Sequence, residues 1–303
     1  MTRTFDLPKT TFFLIAALTA GLVFFIIGFL IYTAAPVLVR SGIGFILGNS
    51  WNYETHQYGI RVLIINTIIL TAISLILAVP CGILTAIFLT EWAPAWMEKI
   101  LRPLIELLVG IPSVVYGLFG IFILSQIYNN QINPAISNTL GTFIPFFYEH
   151  RTNMSIGFFL TASILAVMIL PTIVALAQDA MNAVPCEFRE GSLALGATRW
   201  ETLKGVVIPS AKPGIITGII LGMMRAMGET MVVVMLMGGG DHIPHDIFDT
   251  GEVMTSKILN DIMYYMDQPE SRAALFGIAV VLFFMEIVAV AGVRYIASKT
   301  QRN

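Results

Sequence analysis

Apolar residues run along this chain in long unbroken blocks rather than alternating with polar ones. Six blocks, residues 11–34, 62–90, 103–127, 154–178, 213–237 and 273–296, are long enough to cross a hydrocarbon layer, which takes about 20 helical residues. The pattern predicts an all-α membrane protein: one bundle of six transmembrane helices forming a single domain over residues 1–303. No polar stretch is long enough to fold as a separate soluble domain. Pro80, Pro112 and Pro171 fall inside three blocks, where neighbouring helices or water must satisfy the freed carbonyls. The first block is too long for a signal-peptide core and has no clean cleavage site, so it reads as a retained span.

Charges inside the blocks narrow the reading. Arg225 and Glu229 interrupt the fifth block and are expected one helical turn apart on one helix face. Arg225 lies twelve residues past Pro213, about 18 Å along a helix and therefore near the middle of a core roughly 30 Å thick. An arginine there costs about 2.5–3.5 kcal/mol even on lenient scales. It needs a partner, a cavity or a task, and Glu229 is the nearest partner in sequence. Glu286, deep in the last block, either meets Arg225 from another helix or is protonated. Asn66 and Thr67 are candidates for hydrogen bonds between helices. Ser113 and Tyr116, beside Pro112, line a broken-helix region or simply pack. Glu106 is expected to snorkel or pair with Arg102 in a structural role.

Composition agrees with a membrane bundle. The chain is 56% hydrophobic and 12% charged, about half the charged fraction of a soluble domain, and its mean hydropathy is +0.81. A net charge of −2 and the lack of any basic run exclude nucleic acid as a partner. Cys81 lies in an apolar block and Cys186 in a polar loop, so no disulfide is expected. Placing the N-terminus inside puts Arg3, Lys9, Lys99, Arg102, Arg189, Arg199, Lys204, Lys212, Arg294, Lys299 and Arg302 on the inner side. Only Arg40, Arg61, Arg151, Lys257 and Arg272 then lie outside, so both termini are expected in the cytoplasm. Trp51, Trp92 and Trp96 fit interfacial anchors, and residues 136–147 a short interfacial or re-entrant piece. Asp241-His242-x-x-His245-Asp246, in a glycine-rich outer loop, reads as solvated polar residues rather than a metal site. His56 and His150 are isolated.

The longest polar stretch, residues 179–212, holds the second signal. Leu193, Leu195, Trp200 and Leu203 alternate with Glu187, Glu190, Arg199, Glu201 and Lys204, as in a short amphipathic helix pair broken near Gly196. Taken by itself, this loop is equally an amphipathic segment lying on the membrane surface. Its core is Glu190-Gly191-Ser192-Leu193-Ala194-Leu195-Gly196, followed after nine residues by Val206-Val207-Ile208-Pro209. That sequence resembles the cytoplasmic EAA loop of ABC-importer permeases, with Gly191 and Ser192 in place of two alanines. Arg225-Ala226-Met227-Gly228-Glu229-Thr230-Met231 and Ile111-Pro112-Ser113-Val114-Val115-Tyr116-Gly117 resemble the permease subunits of phosphate-specific ABC importers, the PstC/PstA family. Asp179-Ala180, Val184-Pro185 and Arg189-Glu190 do so too. Residues 45–51 with Tyr58-Gly59 bring the chain nearer to PstC, although Tyr53 stands where a proline is expected. The resemblance covers about residues 51–237.

The resemblance implies a MetI-like, type I importer bundle in the cell membrane. It implies a second permease chain (PstA-like), a cytoplasmic ATPase dimer (PstB-like) and an extracytoplasmic phosphate-binding protein (PstS-like). The substrate path would hold Arg225, Glu229, Thr230, Ser113 and Tyr116. The ATPase would engage a coupling loop over residues 185–209, through Glu190, Gly191, Ser192, Gly196, Ala197, Arg199 and Pro209. No cofactor or metal is expected on this chain: ATP and Mg belong to the ATPase, and no G-x-x-x-x-G-K-[ST] loop occurs here. Chemically, guanidinium offers a planar fork matched to phosphate oxygens. Glu229 would hold Arg225 in the empty path and yield it to the anion, giving attraction without a trap. A fixed ion pair that only sets packing is the alternative. A permease for molybdate or sulfate, and an ion-coupled secondary transporter, are the other functional readings. The transporter would leave the 185–209 loop without a task, and no internal repeat supports it. Paired carboxylates or a Ser–His arrangement suited to an enzyme are absent from the sequence.

Overall fold

A computed structural model describes residues 7–148 and 156–300, with side chains described from 9 to 148 and from 156 to 295. Arg3, His150, Arg151, Arg302, the Lys299 side chain and the start of the predicted 154–178 span lie outside the described residues.

In chain order come α1 (Leu7–Ser41), α2 (Ile43–Leu47), a hairpin of β1 (Trp51–Asn52) and β2 (Gln57–Tyr58), and α3 (Arg61–Glu91). They are followed by α4 (Ala95–Gly110), α5 (Ser113–Thr142), α6 (Phe158–Asn182) and α7 (Cys186–Ala194). The chain continues with α8 (Arg199–Met227), α9 (Met231–Leu236), α10 (Met254–Tyr265) and α11 (Pro269–Thr300). Among the described residues α1, α3, α6, α8 and α11 are each long and apolar enough to cross a membrane. A sixth crossing exists if α4 and α5 count as one, although they meet at 94°.

That angle puts a sharp bend inside the span expected over 103–127, at the proline beside which a broken helix was one of the readings. Pro112 has no N–H to donate and forces the residue before it out of the helical region. Ile111 and Pro112 are accordingly extended, with ψ of 125° and 139°. Gly110, a poor helix former, makes the break easier. Pro80 and Pro171 stay inside continuous helices. Residues 136–147, expected as a separate piece, instead complete α5, whose last turn Leu140–Thr142 is 3₁₀, and add a further 3₁₀ turn at Pro145–Phe147.

The chain forms two compact units. One takes the residues up to Arg61 together with Asn260–Phe284. Within it Trp51, Tyr53 and Tyr58 pack edge to edge, so Trp51 is part of an aromatic cluster. The Tyr53 ring stacks on Tyr265 at 3.5 Å and its hydroxyl donates to Asp261. Burial, then the nearby carboxylate, pushes the Tyr53 phenol well above its ordinary pKa.

The other unit takes Val62–Leu259 and the residues from Met285 on. Its centre is α6, whose Phe158, Leu165, Ile169 and Ile173 are fully buried. Gly214, Gly218 and Gly222 recur every fourth residue and turn one bare stripe of α8 toward α6. A Cβ on Gly218 or Gly222 would stand 3.1 Å from Leu176 or Ile173. Without side chains in the way, two helices approach closely enough for dispersion to hold them in lipid. Of the residues expected to be solvated in the loop after α9, Asp241 and His245 are exposed, but Asp246 is buried, as is the neighbouring Asp249. Asn66 donates to the carbonyls of His242 (3.1 Å) and Glu252 (3.0 Å), and Thr67 accepts from the Met254 N–H (3.2 Å).

Candidate functional site

Two broken spans meet where the substrate path was expected. After the bend at Pro112, α5 opens with Ser113, Tyr116 and Gly117. After a second break at 228–230, α9 docks on α5, with Met235 seated against Gly117 and Leu236 against Gly120. Any side chain at those glycines would collide with α9. Tyr116 ties the first break together, its hydroxyl donating to the Leu108 carbonyl at 2.9 Å across the bend.

The second break changes the geometry of the central pair. Continued helix would have put Arg225 and Glu229 one above the other, but α8 ends at Met227. Glu229 lies in the break. Its carboxylate accepts the Val232 N–H at 3.4 Å, in the first turn of α9, and its carbonyl accepts the Thr255 hydroxyl at 2.8 Å. Arg225 and Glu229 therefore form no ion pair within 4.0 Å, which corrects the pairing expected from their spacing. Thr230 closes the break locally, donating to the Gly228 carbonyl at 3.3 Å. Arg225 is half-buried in the last turn of α8, within electrostatic reach of Tyr116. Among the described residues its guanidinium has no ion-pair partner. Ser113 is half-buried beside the bend and makes no hydrogen bond to Arg225, Glu229 or Thr230. Chemically this is a cation with donors to spare, held beside non-helical backbone between two apolar helices. Within a membrane, such backbone persists only where protein or a water-lined passage surrounds it.

The second cluster is a helical hairpin. From Cys186 the chain forms α7, turns through Gly196 at φ 87°, and enters α8 at Arg199. Only glycine takes that left-handed turn without strain. Thr198 and Glu201 form a capping box: the Thr198 hydroxyl accepts the Glu201 N–H, and the Glu201 carboxylate accepts the Thr198 N–H at 2.8 Å. Ser192 and Thr202 hydroxyls bond at 3.0 Å and clamp the two arms. Arg189 anchors the hairpin to the bundle, donating to Glu91 (2.5 Å) and to the Met181 carbonyl (2.8 Å). Trp200 stacks on Trp92, centroids 6.2 Å apart.

What the hairpin presents is apolar. Leu195 is 91% exposed, and Phe188, Leu193 and Trp200 are also open. Nothing lies within 4 Å of a Cβ placed on Gly191, so its smallness serves no packing inside this chain. Glu190 and Arg199 are exposed, Ala197 is half-buried, and Pro209 is exposed where α8 resumes α-helical form after the π turn Leu203–Val207. An exposed apolar surface rimmed by charges marks a docking site. Sequence reasoning had singled out these residues but not their supports. Thr198-x-x-Glu201 is a readable cap pattern, whereas Arg189–Glu91 joins residues nearly a hundred positions apart and leaves no local signal.

Other expectations have clear outcomes. Arg102 pairs with Glu106 (3.1 Å) and with Asp179 (3.5 Å). Cys81 and Cys186 are free thiols. His242 bonds the buried Asp249 at 3.1 Å.

Residues 78–302 match the family described as "Binding-protein-dependent transport system inner membrane component". The chain is 34% identical over 263 residues to the phosphate transport system permease protein PstC of Pasteurella multocida (strain Pm70), covering 86% of this chain and 82% of that one. It is 37% identical over 262 residues to the probable ABC transporter permease protein YqgH of Bacillus subtilis (strain 168), covering 86% and 79%. Its fold is similar to a chain in the crystal structure of a bacterial alginate ABC transporter with an alginate pentasaccharide-bound periplasmic protein. That likeness has a TM-score of 0.60 at 17% identity, over 100% of this chain and 99% of the other.

Proposed function

This chain belongs to the family of binding-protein-dependent transport inner membrane components, and we propose that it is the PstC-type permease of an ATP-driven phosphate importer. It is a multi-pass membrane subunit with the bundle of ABC-importer permeases. One observation carries the mechanistic reading: Arg225 is half-buried beside a broken span, with no ion-pair partner within 4.0 Å among the described residues. A guanidinium so placed can meet an oxyanion with two parallel N–H donors. Ser113, Tyr116, Glu229 and Thr230 surround the two breaks and form this chain's share of the path.

A second permease chain of PstA type supplies the other wall. The 185–209 hairpin faces the cytoplasm, as do both termini, and docks Leu195, Gly191 and Glu190 into a PstB-type ATPase dimer, where ATP and Mg act. The excess of Lys and Arg on that side supports the orientation. A PstS-type protein delivers phosphate from the opposite side. The relatives named phosphate transport system permease protein PstC support phosphate, rather than molybdate or sulfate, as the substrate.

Reconstitution of the complete complex in vesicles tests the reading. Labelled phosphate should accumulate only with ATP and the binding protein, with sulfate and molybdate competing weakly. Uptake driven by an ion gradient without ATP would overturn it.

A further inference from the structure

With Glu229 turned to the backbone, Arg225 lacks its expected counter-charge, and another carboxylate reaches the break. Glu286 projects from α11, and its Oε1 lies 3.8 Å from where a Cβ on Gly228 would stand. Arg225 and Gly228 are three positions apart at the end of α8, so they share a face with Cβ positions about 5–6 Å apart. An extended arginine spans that gap. Among the described residues Glu286 makes no hydrogen bond or ion pair, and its side chain is half-buried.

We propose that Glu286 is the counter-charge of Arg225 in the empty path, and that the passing anion displaces it. This rests on the phosphate-permease reading. A lone carboxylate and a lone guanidinium are each costly at membrane depth, and bringing them together relieves both. The two glutamates then divide the work. Glu229 fixes the backbone of the break by accepting the Val232 N–H, while Glu286 competes with substrate for the guanidinium. Competition keeps the site attractive without making it a trap, which conduction requires. A carboxylate from α11 also makes the affinity of Arg225 depend on where that helix stands, so a small shift of α11 during the ATP cycle would release or recapture the anion.

Kinetics of Glu286→Gln and Glu286→Asp in reconstituted complexes test the assignment. Removing the competitor should let Arg225 hold the anion: maximal uptake falls about tenfold, and the half-saturating phosphate concentration falls with it. Aspartate should recover much of both. Normal kinetics in Glu286→Gln overturns the proposal, as does a lower rate with unchanged half-saturation and no recovery by aspartate, the mark of a packing role. Should Glu286→Gln fail to assemble, the reversed pair Arg225→Glu with Glu286→Arg should restore co-purification without uptake, and no restoration overturns the pairing. A wild-type complex that assembles yet carries no phosphate sinks the substrate reading alone, because the assembly readout still tests the pair.

Discussion

Asp249 keeps its charge in a buried turn because the turn supplies donors. Burial opposes the charged form, but the N–H groups of His245 (3.3 Å) and Thr250 (2.9 Å) and the His242 ring (3.1 Å) outweigh it and lower the pKa. A carboxyl titrating lower folded than unfolded adds stability that is complete above the ordinary carboxylate range. That stability is lost as pH falls through the depressed folded value. Hydrogen exchange should therefore show the 238–253 loop opening at acid pH before the helices do, and Asp249→Asn should open it at neutral pH. Equal protection of the variant at neutral pH would contradict this. At the same scale, charge and spacing located Arg225 and Glu229, yet not their relation. The four-residue rule holds only while helix continues, and Glu229 found a backbone N–H instead. His242 and Asp246 read as solvated for a similar reason: their composition is polar, and only the fold shows Asn66 pulling the loop inward.

Among elements, the pairing of α6 and α8 is the most sharply specified contact. Gly218→Val would add methyl groups where a Cβ alone already stands 3.1 Å from Leu176. Overpacking of this kind costs about 1–3 kcal/mol. The purified complex should melt at a lower temperature, and an unchanged melting point would show that the helices separate freely. The Gly214-x-x-x-Gly218-x-x-x-Gly222 repeat is a close-packing signal that went unread among the apolar residues of its block. Span lengths were readable, since apolar runs report the hydrocarbon layer. The breaks at 111–112 and 228–230 were less legible, because hydropathy measures transfer and is silent on which backbone bonds are made. Pro112 supplied the hint for one; the other carries only Gly228, a residue equally at home in a membrane helix.

At the scale of the whole molecule, the chain is a lever joined to a conduit, and each end exposes what a partner must cover. Leu195, nearly bare at the tip of the α7–α8 hairpin, is the apolar anchor of the proposed ATPase contact. Leu195→Asp should weaken co-purification of the ATPase by at least about tenfold, the scale of an interface hot spot. It should leave the permease pair intact in the membrane. Retention of the ATPase at wild-type levels would place the docking surface elsewhere. At the other end, Arg225 stands in the last turn of α8 with no ion-pair partner within 4.0 Å among the described residues, and the proposed path runs beside it. Labelled-phosphate uptake by Arg225→Ala and Arg225→Lys in assembled, ATP-hydrolysing complexes measures this most directly. Alanine should reduce uptake roughly ten- to hundredfold, the worth of a charge-assisted hydrogen bond, with lysine between alanine and wild type. Near-normal uptake by both variants would contradict a path built around this guanidinium.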